Sequence, residues 1–207
     1  MGHNLNSYTQ DIEDGLAIDS MTNAKKTNSS RCIAFVATMG ALGNVLAILS
    51  LFLAPIHPQI ALDFSHIGTF IGALYCGPGW GFVTGALVAI APFYRFGVAG
   101  WYGPLLGSGI ILGKAITGLS FGLLVKRARP FTSVILGFVP EFFYTYVYLK
   151  YVTILFLPNL AAYMTDAVIF SILIKAWFEI FVMAFIVEAI YRKHLLDGVM
   201  GPALRKP

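Results

Sequence analysis

Charge is what this sequence has least of: of its 207 residues only 12% are Asp, Glu, Lys or Arg, against 57% hydrophobic. Soluble domains carry about 25% charged and roughly 45–50% apolar residues. A water-soluble globule this poor in charge would expose large apolar patches. A disordered chain, a nucleic-acid module and an ordinary cytosolic enzyme are therefore excluded. Cysteine is scarce as well. Cys32 and Cys76 both fall inside apolar runs, so no disulfide framework is expected. Catalytic and metal motifs are missing: there is no HExxH, no GxSxG, no zinc-spaced Cys/His cluster and no P-loop. Ser108 in GSG has no His on a neighbouring apolar segment. Met1-Gly2-His3 has donors for a divalent metal, but it sits on a tail expected to be cytoplasmic. No catalytic residue, metal site or cofactor is expected.

What remains is a membrane composition. The mean hydropathy is +0.76, and 21 glycines with 14% aromatics suit membrane helices. The expected fold is an all-α integral membrane protein, a bundle of six transmembrane helices. Residues 1–31 are polar and read as a mobile cytoplasmic extension, residues 32–193 as the membrane domain, and residues 194–207 as a cytoplasmic tail. No apolar signal-peptide core occurs in the first 31 residues. From Met21 onward the extension reads as a short basic leader.

Six hydrophobic segments run about Cys32–Ala54, Ser65–Cys76, Gly81–Gly97, Leu105–Val125, Phe131–Leu157 and Met164–Tyr191. Lys25, Lys26, Arg31, Lys126, Arg127, Arg129, Arg192, Lys193, Arg205 and Lys206 fall in alternate connections. The connections near 55–65, 97–104 and 157–164 contain no Lys or Arg. The positive-inside rule then puts both termini in the cytoplasm.

The second segment is too short. About twelve residues at 1.5 Å each reach roughly 18 Å, against a hydrocarbon core of about 30 Å. Its outer end must lie below the membrane surface, where irregular backbone survives only inside protein or along a cavity. The loop PIHPQIALDFS is therefore expected to dip inward and wall a pocket open to the outside. The alternative is a helix that starts at Ile60, with Asp63 reaching back to the surface.

Lys114, Glu141, Lys175 and Glu179 fall near the midplane of their segments. A charge there is costly unless paired or hydrated. Two acids and two bases suggest pairs between helices, with Lys175 and Glu179 sharing a face at i, i+4. They read either as structural pairs or as the floor of a ligand cavity, with Lys114 and Lys175 as ligand contacts. Lys114 is expected to pair with Glu141 or Glu179 if it does not meet a ligand. Towards the outer ends lie Asp63, His66, Arg95, Trp101, Tyr102, Lys150 and Asp166, among aromatics that include Tyr94, Tyr144, Tyr146, Tyr148 and Tyr151. Aromatic walls with few polar anchors suit a flat small molecule, although interfacial Trp and Tyr belts are also ordinary. The candidate substrate-binding residues are Asp63, Arg95, Trp101, Lys114, Tyr148, Tyr151 and Lys175.

Small residues recur at helical spacing. Ala37 and Ala41 form an AxxxA pair, and Gly68/Gly72, Gly81/Gly85 and Gly118/Gly122 are GxxxG pairs. Such pairs let helices approach closely in lipid, within the protein or against a partner.

The ordered combination resembles the substrate-binding S components of energy-coupling factor (ECF) transporters. It comprises a basic leader, a first helix with an AxxxA face, and the run DFSHIGTFIGALYCGPGWG closing on Gly77-Pro78-x-x-Gly81, followed by Gly113-Lys114 to Gly118. The resemblance implies a six-helix protein of a prokaryotic plasma membrane that captures a vitamin or similar organic micronutrient. It implies as partners a transmembrane coupling subunit, met by Ala37 and Ala41, and two cytoplasmic ATPases. The Met-His-Ile-Pro-Asp start of the metal-type members is missing, which favours an organic ligand. The alternative reading is an intramembrane enzyme of lipid or isoprenoid metabolism using Glu141 or Glu179 as acid or base.

Overall fold

The computed structural model describes residues 29–50, 55–57, 60–61, 63–100 and 103–203. Most of the 1–31 extension, and Trp101, lie outside the described residues. The chain divides after Ala34 into two units. Of the first, residues 29–34 are described, and they are helical. Everything below concerns the second, Phe35–Pro207.

The long helices are α1 (Ser29–Ser50), α2 (His66–Cys76), α3 (Pro78–Val98), α4 (Gly103–Leu124), α5 (Pro130–Val147) and α6 (Asp166–Arg192). Five of the six lie within a few residues of the apolar runs in the sequence; α5 stops ten residues before Leu157, and the rest of that run is a π-helical turn, Tyr148–Val152, and a short helix, Thr153–Phe156. α1, α3, α4 and α6 are long and apolar enough to cross a membrane. Outward side chains agree: Phe143 on α5 and Ile174, Phe178 and Phe185 on α6 are each more than half exposed, which lipid tolerates and water does not. This is an all-α membrane protein.

Helix boundaries follow local chemistry. Pro78 and Pro130 open α3 and α5 at first-turn positions, where a missing N–H costs nothing. Thr165 caps α6 by accepting from the Val168 N–H. Gly77, at φ 94°, makes the corner between α2 and α3, a conformation that disfavours any residue with a Cβ.

α2 has 11 residues, or about 16 Å of helix, so the expected short second helix is present. It does not begin at Ile60. Ile60–Ala61 instead pairs antiparallel with Pro55–His57, a small hairpin that the sequence did not announce. Inside the loop it satisfies backbone groups that lipid could not.

The glycine pairs account for the closest packing. A Cβ on Gly118 would lie 2.0 Å from the Gly81 carbonyl oxygen, and one on Gly85 2.2 Å from that of Lys114. α3 and α4 therefore meet backbone to backbone. Gly68 abuts the Met39 carbonyl on α1, and Gly72 the Thr84 side chain on α3. Asn44 adds polar glue: its Nδ2 donates to the Leu87 carbonyl at 2.8 Å and its Oδ1 accepts from the Ala91 N–H at 2.6 Å. That bond satisfies an N–H where the α3 ladder is interrupted at Ala89.

After α6 the chain folds back. His194 takes the left-handed conformation at φ 50°, and Asp197 accepts from the Tyr75 hydroxyl on α2 at 2.9 Å. Hydrogen bonds from His194 and Tyr75 hold the Asp197 carboxyl below the usual carboxylate range.

The α3–α4 contact yields a test. Gly118→Ala should cost about 1–3 kcal/mol through overpacking, read as a lowered unfolding temperature in detergent. Gly79→Ala, where a Cβ meets nothing within 4 Å, should be neutral or slightly stabilising. Equal effects would mean that close approach of α3 and α4 does not matter.

Candidate functional site

The site begins with the loop that carries Asp63. Its Oδ1 accepts from the Ser65 N–H at 2.9 Å, an Asx-type bond that turns the chain into α2. Its Oδ2 accepts from Lys114 Nζ at 2.7 Å, and Lys114 also donates to Ser65 Oγ at 2.6 Å. The Asp63 N–H donates to Glu179 Oε1 on α6 at 2.7 Å. The loop is thus tied to α4 and α6 at the level of their mid-helix charges. That is the inward dip expected from the shortness of α2.

The other charges are matched nearby. Lys175 Nζ lies 3.2 Å from Glu179 Oε1, as the i, i+4 spacing suggested. Glu141 Oε2 accepts from the Thr117 hydroxyl and lies 3.5 Å from His66 Nε2. Lys114 therefore pairs with Asp63 and with neither Glu141 nor Glu179, the partners expected of it if it meets no ligand. Thr117 and His66 occupy Glu141, and the Asp63 N–H and Lys175 occupy Glu179, which leaves the loop carboxylate for the ammonium.

These groups surround a cavity of about 160 Å³. At roughly 10–15 Å³ per water position, that is room for a small organic molecule and far more than one ion needs. α3 contributes Pro92 and Phe96, α4 Leu106, Gly109, Ile110 and Lys114, and α5 Phe138, Glu141 and Tyr144. α6 contributes residues from Ile172 to Met183. Two π-helical turns, Tyr94–Val98 and Tyr148–Val152, supply Phe96, Tyr148 and Leu149. Such turns redirect side chains and often occur at functional sites, and apolar periodicity gives no sign of them.

Tyr148 is fixed on three sides. Its hydroxyl donates to the Leu105 carbonyl at 2.7 Å and lies 3.2 Å from Ser108 Oγ. Its ring fills the space over Gly109, where a Cβ would come within 2.2 Å of it. The Tyr144 and Tyr148 rings lie 5.3 Å apart at 31°. Among the described residues, the buried Tyr144 hydroxyl and His66 Nδ1 have no hydrogen-bond partner.

Of the seven candidate residues, Asp63, Lys114, Tyr148 and Lys175 line the cavity. Arg95 does not. It borders a smaller neighbouring pocket that shares Asp63, Pro92 and Phe96 with the first, and its guanidinium lies 5.3 Å from the Phe96 ring centre. Tyr151 is 54% exposed and lines neither pocket. Trp101 is outside the described residues. His66, Glu141, Tyr144 and Glu179 line the cavity without having been chosen; midplane depth had singled out both glutamates. Ser65 was missed, although Asp-x-Ser ahead of a helix is a legible turn signal. Ala37 and Ala41 are exposed on α1.

The model of the ECF transporter substrate-specific component matches residues 31–191. The chain belongs to that family. No curated relative and no solved structure matches it. As an S component it is a substrate-binding subunit of a transporter, a membrane protein that takes a small molecule and works with the ECF coupling and ATPase module.

The buried pair yields a second test. Lys114→Met leaves the Asp63 carboxylate without its cation, and breaking a buried pair costs about 3–5 kcal/mol. Adding Asp63→Asn should recover part of the loss of thermal stability. No loss in the single variant would mean that this pair does not hold the loop.

Proposed function

We propose that this S component spans the membrane six times with both termini in the cytoplasm, and that it captures a vitamin-type organic micronutrient from outside in the cavity beneath the Asp63 loop. The observation that carries this is where the cavity lies. Its lining comes from the C-terminal part of α3, the N-terminal half of α4, the C-terminal half of α5 and the stretch of α6 from Ile172 to just past its middle at Met183. The nearer ends of these helices lead into the connections near 97–104 and 157–164, which contain no Lys or Arg. The opposite ends carry Lys126, Arg127, Arg129, Arg192 and Lys193. Positive residues mark the cytoplasmic side, so the cavity belongs to the outer half.

Captured ligand is handed to the cytoplasm by a transmembrane coupling subunit and two ATPases, with the Ala37–Ala41 face of α1 as the docking surface. That face supplies no residue to the main cavity, so docking and binding use separate parts of the protein.

Two experiments test this reading. A cysteine replacing Tyr163 should react with an impermeant thiol reagent in intact cells, and one replacing Ala128 only after permeabilisation. Labelling of Ala128→Cys in intact cells would overturn the topology. Native mass spectrometry of the purified protein should show a bound small molecule. Ala37→Trp with Ala41→Trp should retain that ligand and lose at least tenfold in ATP-driven uptake. Loss of the ligand in this variant would mean that the alanine face shapes the site.

A further inference from the structure

Carboxylates outnumber ammonium groups in this cavity. Its lining holds Asp63, Glu141 and Glu179 against Lys114 and Lys175, with the His66 imidazole 3.5 Å from Glu141 Oε2 and the Tyr144 hydroxyl as a further polar group. Both lysines are engaged within the protein, Lys114 by Asp63 and Ser65 and Lys175 by Glu179. An anionic ligand would have to break one of these pairs to find a cation.

The acids are less fully used. Both Asp63 oxygens are taken, one by the Ser65 N–H and one by Lys114. Glu141 is bonded through Oε2 and Glu179 through Oε1. Among the described residues, Glu141 Oε1 and Glu179 Oε2 accept no hydrogen bond. Arg95 does not alter this balance in the main cavity, because it borders the adjoining pocket.

The aromatic lining favours the same sign of charge. The ring of Tyr148 is immobilised over Gly109, with Tyr144 beside it at 5.3 Å. Ring faces attract cations, most strongly where water is excluded.

We propose that the ligand of this cavity is a flat organic cation, an aromatic nitrogen compound carrying a positive charge at neutral pH. Its ring lies against Tyr144 and Tyr148, and its charged N–H groups donate to the free oxygens of Glu141 and Glu179. The inference rests on the capture reading above and goes beyond it by assigning the ligand's charge and donor character.

Three probes of the same shape test it: benzamidinium, benzamide and benzoate, with charges of plus one, zero and minus one. Each is titrated calorimetrically into the full-length protein in detergent at pH 7, after removal of any co-purified ligand. Benzamidinium should bind at least tenfold more tightly than either of the others. Glu141→Gln should reduce the preference of benzamidinium over benzamide at least fivefold. The wild-type comparison stands even if the variant does not fold.

Equal binding of benzamide and benzamidinium, or tighter binding of benzoate, overturns the cationic assignment and leaves cavity capture intact. If none of the three binds, the charge of the ligand found by native mass spectrometry decides: a cation upholds the assignment, and a neutral molecule or an anion overturns it. If there is neither a bound probe nor a co-purified ligand, the capture reading fails and this inference fails with it.

Discussion

The ammonium of Lys114 is the constraint around which this protein is arranged. It is 3% exposed in the middle of a helix that is otherwise apolar and glycine-rich, where an unpaired charge costs several kcal/mol. α4 carries no acid to neutralise it, so the acid has to come from elsewhere. It comes from the loop ahead of α2, and bringing Asp63 down to Lys114 has structural consequences. α2 can be only 11 residues long, the loop must satisfy its own backbone, and the space above a full-length second helix becomes available for a cavity.

The height of Lys114 is set by the α3–α4 contact. Gly85 lies against the Lys114 carbonyl itself, and Gly81 and Gly118 lock the same two helices one turn further along. A side chain at any of these positions would separate the helices and carry the ammonium away from Asp63. The glycine pairs, which by themselves say only that something packs closely, are thus part of the geometry of the site. Buried ion pairs of this kind add little net stability over apolar replacements. Their arrangement here is better explained by position, since they hold three elements around one open volume.

Much of this was legible in the sequence because lipid leaves a chain few choices. Apolar runs gave five of the six helices within a few residues and overran α5 by ten, and the shortness of the second run alone required an inward loop. Depth along each run picked out Lys114, Glu141, Lys175 and Glu179 as buried. What depth could not give was pairing. Which carboxylate meets Lys114 depends on helix rotation and on the path of the loop, and neither leaves a periodic trace. For the same reason Arg95, just within the outer boundary, was assigned to the cavity although it borders the neighbouring pocket. Tyr144 and Tyr148 could not be ranked above Tyr151, because the π turn between them rotates the later residues away from the position a regular helix would give.

Small-residue spacing shows how far a motif reaches before burial is known. Gly68/Gly72, Gly81/Gly85 and Gly118/Gly122 share their pattern with Ala37/Ala41, and the sequence offers no means of telling them apart. In the fold the glycines are buried against backbone or side chains of neighbouring helices, so their contacts are already made. Ala37 and Ala41 are exposed. Alanine buries little area against lipid, and its value in a membrane helix lies in allowing another helix to approach. An exposed pair of them on α1, which supplies no residue to the main cavity, is what a docking surface kept apart from the ligand requires. A partner on that face would press on α1 without touching the residues that line the main cavity. α1 touches the cavity-forming elements through Asn44, bonded to α3, through Met39 against Gly68, and through Ser50 Oγ, which accepts from the Phe64 N–H beside the Asp63 loop.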